Sequence, residues 1–92
     1  MQHIGERITV VGKVMSTTYA TGSKGKPTFL NIGKPYPNQE FTVLIWDNNR
    51  SKFPQSPEKY YEGKTIAVAG LIVAYQGTPQ IEVTSPSQIE VR

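Results

Sequence analysis

Thr65-Ile66-Ala67-Val68-Ala69-Gly70-Leu71-Ile72-Val73-Ala74-Tyr75, then Gln76-Gly77-Thr78-Pro79, then Gln80-Ile81-Glu82-Val83-Thr84, reads as a long strand, a tight turn and a second strand. β-Branched and small residues dominate the first run, and Gly with Pro punctuates the turn, the composition of a hairpin rather than a helix. Gly70 interrupts the longer strand. A residue without a side chain inside a strand marks a bend or a close approach of another backbone. The same wording occurs near the start of the chain. Val10-Val11-Gly12-Lys13-Val14 echoes Val68-Ala69-Gly70-Leu71-Ile72, as two strands turning at equivalent corners of one barrel would.

Outward from this hairpin the other elements fall into place. Residues 7–14 set Ile8, Val10 and Val14 against Arg7, Thr9 and Lys13 with period two, so strand one is long and bends at Gly12. Residues 19–27 hold two glycines, Ser, Pro and two lysines, with no apolar face to bury; a mobile, basic loop is expected. Strand two is Thr28-Phe29-Leu30-Asn31-Ile32, followed by a proline-fixed turn over 33–38. Strand three, Phe41-Thr42-Val43-Leu44-Ile45-Trp46, is nearly all apolar and is expected to be central. Pro54 and Pro57 forbid a long helix over 47–61 but permit two short turns, the first capped by Asp47 or Asn48 and the second opened by Ser56-Pro57-Glu58. Strand five is expected at 80–84, and Ser85-Pro86-Ser87 redirects the chain into a short tail, 88–91.

Ninety-two residues hold one hydrophobic core, so the whole chain, 1–92, is read as a single all-β domain. Cysteine is absent, which excludes disulfides, thiol catalysis and thiolate metal sites. No apolar run approaches the length of a membrane span, and the first residues lack a leader's pattern, so a soluble chain without an export signal is expected. The formal charge of +3 is unevenly placed: residues 1–39 carry five basic side chains against Glu6 alone, whereas the remainder sets five against six acids. A basic half suits a polyanionic partner.

Five strands, a helical connector between the third and fourth, bent strands one and four and a tight last hairpin form a Greek-key barrel. The segments HIGERITVVGKV, KPTFLNIGKPYPNQEFTVLIW and GLIVAYQGTPQIEVTSPSQIEV resemble small bacterial OB-fold nucleic-acid-binding domains, related to the anticodon-binding and helicase-type modules. The resemblance spans nearly the whole chain and implies a five-stranded OB barrel, a nucleic-acid partner and no catalytic motif. Its members often carry a leader peptide and cysteines near the positions of Val11 and Ala67; this sequence has neither.

OB barrels bind across strands two and three, between the loops joining strands one to two and four to five. That places Lys13, Tyr19, Lys24, Lys26, Phe29, Asn31, Lys34, Tyr36, Tyr75 and Gln80 at the expected interface with single-stranded DNA or RNA. Lysines follow phosphates and the tyrosines offer faces to bases. Each has a structural alternative. Lys24 and Lys26 in a loop can be simply solvated, Tyr36 can plug the barrel end, and Phe29 competes with Leu30 and Ile32 for the inward face. Trp46 is by size the best single stacking platform, yet at the end of an apolar strand it reads rather as core or as a cover over the short helix, and Phe53, Tyr60 and Tyr61 as that helix's packing side. Glu58 and Glu62 read as solvated helix charges. His3 is the only histidine, and Glu40, Asp47 and Glu82 fit no catalytic pattern, so no metal, cofactor or enzymatic role is expected. The alternative partner is a protein, or a domain fused to this one, docked on the same barrel.

Overall fold

The structure, a computed structural model, describes residues 5–34, 38–75 and 77–92, with Tyr75 described by its backbone. His3, Tyr36 with its flanking prolines, and Gln76 of the hairpin turn lie outside the described residues. The strands are β1 (Arg7–Tyr19), β2 (Thr28–Ile32), β3 (Phe41–Ile45), β4 (Thr65–Tyr75), β5 (Thr78–Glu82) and β6 (Ile89–Val91), with single-turn helices α1 (Asp47–Arg50) and α2 (Pro57–Tyr60) between β3 and β4.

β1 serves two sheets. Its first half, Arg7 to Lys13, pairs antiparallel with β4, and from Val14 onward it pairs with β2. β2 pairs with β3, β3 runs parallel to β5, and β5 returns antiparallel beside β4, so the ring closes in the order β1-β2-β3-β5-β4-β1. This is a five-stranded barrel of the OB type, which removes the open edges of its constituent sheets.

Period-two alternation carries Val14, Leu30, Val43, Ile66, Ile72 and Ile81 into the barrel, each fully buried. Burying one such side chain contributes about 1.5–3 kcal/mol. Closing so few strands around them requires close crossings. A Cβ at Gly12 would collide with Ile32 Cγ2, and one at Gly70 would come within 2.8 Å of Ile81 Cγ2. Both glycines therefore admit a neighbouring isoleucine. The backbone irregularity of β1 lies further on, between Val14 and Ser16, where the register against β2 slips at Met15.

Several local expectations change. β5 spans 78–82 rather than 80–84, because Tyr75 already pairs with Thr78 and Ala74 with Pro79. Pro79 is tolerated there because pairing with the parallel neighbour β3 begins only at Gln80, one residue further on. The tail is a sixth strand, antiparallel to β4. A capping box sets it: Ser85 accepts from the Ser87 N–H, while Gln88 Oε1 accepts from the Ser85 N–H and Gln88 Nε2 donates to the Ala69 carbonyl at 3.0 Å. Trp46, not Asp47 or Asn48, occupies the N-cap of α1, and Ser56 caps α2 without a side-chain bond.

Phe53 and Tyr61 are buried and meet edge to face at 6.4 Å, sealing one barrel end, while half-buried Tyr60 lies under the Lys64 ammonium. If the glycine at 12 is there to admit Ile32, Gly12→Val is expected to cost about 1–3 kcal/mol by overpacking. Urea denaturation measures this; a variant as stable as the parent would mean that the crossing is looser than described.

Candidate functional site

The pairings set two cross-strand rows on the side of β1, β2, β3 and β5 turned away from the barrel interior, and much of both rows is buried, Leu44 included. Ser16, Asn31, Thr42, Gln80 and Val73 form one cross-strand row; Thr18, Phe29, Leu44 and Glu82 form the next. In the first row the polar side chains bond to one another or close by, Asn31 Nδ2 to Ser16 Oγ at 3.1 Å and Gln39 Nε2 to Thr42 Oγ1 at 3.2 Å. Asn31, Thr42 and Gln80 are buried. They shape the face more than they reach beyond it. Phe29 is half-buried and outward, because Leu30 and Ile32 hold the inward positions.

Trp46 follows Leu44 by two residues with extended backbone (φ −70°, ψ 152°), so its indole continues the outward row past the end of β3. It is half-buried and outside the barrel core, so the core half of the expectation does not hold, because the strand ends at Ile45 and the barrel ends with it. Gly25 lies against this ring. A Cβ there would sit 2.9 Å from Cε3 and Cζ3, and its φ of +78° suits glycine alone. Together Gly25, Lys26, Trp46, Asn48, Asn49 and Glu82, with Asp47, line an open cleft of about 520 Å³.

The loop bearing Lys24 and Lys26 is folded on itself rather than loose. Ala20 N–H donates to the Pro27 carbonyl, Ser23 N–H to Ala20, Lys26 N–H to Ser23, and Asp47 N–H to the Gly25 carbonyl, all within 3.1 Å. Lys26 adopts φ +43°, a left-handed conformation costly for a side-chain-bearing residue. Both lysines are exposed.

Adjoining the cleft is an ionic network that shares Asp47 with it. Arg50 Nη1 donates to Glu58 Oε1 and to Thr28 Oγ1, each at 2.7 Å, and its guanidinium lies 3.6 Å from the centre of the Tyr19 ring. Tyr19 in turn donates its hydroxyl to Asp47 Oδ1 at 2.5 Å, and the acceptor, with burial, holds the phenol above its ordinary 10.0. With a cation over its ring, Tyr19 is a fixed strut between β1 and α1 rather than an open platform. Glu58 is likewise no solvated charge: its side chain is 15% exposed and ion-paired. Burial pushes its carboxyl up, but the hydrogen bond from Arg50, its own backbone N–H and the Arg50 and Lys59 charges outweigh this and hold it below the ordinary value.

The remaining candidates separate. Lys34 is exposed just beyond the other end of β2, and Lys13 lies near it through the Gly33 N–H to Lys13 carbonyl bond at 3.0 Å. The two lysine pairs thus stand about 13 Å or more apart, the length of β2 at ~3.3 Å per residue, and Lys13 belongs to the half of β1 that faces β4. Tyr75 closes β4 by its backbone, and Tyr36 is outside the described residues. Among the described residues no three His, Cys, Asp or Glu side chains gather to hold a metal ion, and no helix is long and apolar enough to cross a membrane. No protein-family model matches the chain, and no curated protein matches it.

A depressed folded-state pKa makes Glu58 stabilising above the ordinary carboxylate value of about 4.3 and lets that contribution lapse as pH falls through the folded value. Glu58→Gln is therefore expected to lower stability at pH 7 by about 1 kcal/mol, with the gap to the parent closing below about pH 4. Thermal melts across pH check this; a gap that persists or widens in acid would contradict the charge pairing.

Proposed function

We propose that this barrel is a non-catalytic module that binds single-stranded nucleic acid, DNA or RNA, with little sequence preference over most of its path. The strand runs from the Trp46 cleft across the β2–β3 outer face, past Phe29, toward Lys34. The observation that carries this reading is the half-exposed indole in an open cleft beside Lys26, whose ammonium forms no ion pair with the described residues. A flat ring for a base next to an unpaired cation for a phosphate is the minimal single-strand subsite, and each stacked base contributes about 1–3 kcal/mol. The resemblance to small bacterial OB domains supports the same class of ligand.

A second reading, a protein-docking barrel, draws on the opposite side. There Val11 (53% exposed) and Leu71 (41%) flank Ala69 and Thr9 on the outward face of the β1–β4 sheet. That face mixes these apolar side chains with exposed Arg7 and Lys13 and, among the described residues, carries no aromatic ring.

Fluorescence anisotropy with labelled oligonucleotides at two salt concentrations separates the two. Affinity is expected to fall with salt, and Trp46→Ala to weaken it by about tenfold, the loss of one stacked base. Lys24→Glu with Lys26→Glu is expected to weaken it further. Absence of binding at low salt, or binding indifferent to salt and to these substitutions, would remove the nucleic-acid reading.

A further inference from the structure

We infer that the Trp46 cleft is a guanine subsite, with Glu82 reading the base; this rests on the single-strand reading above and names the base it selects. The parallel pairing of β3 with β5 sets Glu82 directly opposite Leu44, and the cleft brings it to the indole. Its carboxylate is exposed and makes no hydrogen bond or ion pair with the described residues, although Lys26 lines the same cleft. Asp47, the other acid of the cleft, is already engaged by Tyr19 and lies 3.9 Å from Arg50 Nε. Glu82 is therefore the carboxylate available to a ligand.

An ionised carboxylate only accepts hydrogen bonds. A base stacked on Trp46 presents its Watson–Crick edge sideways, the edge by which unstacked bases are read. Guanine alone places two donors side by side there, N1–H and the 2-amino group, matching the two carboxylate oxygens. Adenine and cytosine set a ring-nitrogen acceptor beside their single amino group, and thymine and uracil flank one N–H with two carbonyls. Each of these turns at least one lone pair toward Glu82, a repulsion that guanine does not meet. The side-chain amides of Asn48 and Asn49, unbonded among the described residues, and the Lys26 ammonium supply the complementary donors, for the guanine O6 and the adjoining phosphate. A phosphate seated directly against Glu82 would be repelled, which orients the nucleotide with its base inward.

The chain has one tryptophan, so intrinsic fluorescence reports this cleft directly. Octathymidylate, the same oligomer with one central guanine, and the same with inosine, which lacks the 2-amino group, are titrated against the intact chain and against Glu82→Gln. Matching thermal midpoints for the two proteins establish that both are folded. The guanine oligomer is expected to bind about tenfold tighter than octathymidylate, as one bidentate base contact discriminates, with inosine losing most of that margin. In Glu82→Gln the guanine and thymine oligomers are expected to fall within about twofold of each other. Quenching by all three oligomers with equal affinity would overturn the guanine assignment while leaving strand binding in place. Fluorescence unmoved by any oligomer at low salt would overturn the single-strand reading itself, and this inference with it.

Discussion

β3 and β5 run side by side for only three residue pairs, Thr42 with Gln80, Val43 with Ile81 and Leu44 with Glu82, extended by the Val83 N–H to the Leu44 carbonyl at 2.8 Å. This parallel seam converts an open antiparallel meander into a ring. It brings Val43 and Ile81 together in the core, both fully buried, and it puts Leu44 and Glu82 together outside. A slip of one residue along the seam would reverse both assignments at once. The core and the cleft are thus two faces of one register.

From that register the surroundings follow. Once β3 ends at Ile45, Trp46 must leave the barrel, and the loop between β1 and β2 packs its glycine against the ring because a larger residue would not fit. Arg50 then ties α1 to the barrel through Thr28 and to α2 through Glu58, and Tyr19 ties β1 to the same point through Asp47. Of the residues so bonded, only Asp47 lines the cleft. These bonds fix its walls while leaving Lys26, Asn48, Asn49 and Glu82 unbonded to other described side chains. Rigid walls with free polar groups lower the ordering cost of holding a ligand.

The barrel was legible in the sequence because its signals are local. Alternation in 7–14, the glycine echo at 12 and 70, and the hairpin break at Gly77 each depend on neighbouring residues, as does the pairing of Ser56 with Pro57 at the start of α2, although Thr78 and Pro79, which read as turn, already belong to β5. The cleft was less legible because it depends on contacts across the chain. Five consecutive buried residues in β3 conceal which face is outward, so Trp46 reads as core until the strand's end is known. Glu82 has no meaning as a partner of Trp46 until the parallel seam is known, and Glu58 looks solvated until Arg50, eight residues earlier, folds back to meet it. The acid-free run from Arg7 to Lys34 suggests one basic patch, yet the two lysine pairs stand at opposite ends of β2, since strand and loop alternate along that stretch.

The molecule therefore offers two surfaces of different character: a ring-and-cation cleft beside the β2–β3 face, and a β1–β4 face, ring-free among the described residues, where Val11 and Leu71 stand among exposed Arg7 and Lys13. Backbone amide and indole chemical-shift changes on adding octathymidylate distinguish them residue by residue. The account predicts shifts at Gly25, Lys26, the Trp46 indole, Phe29 and Glu82, with Val11, Ala69 and Leu71 unmoved. Shifts confined to the β1–β4 face, or none at saturating oligonucleotide, would contradict it.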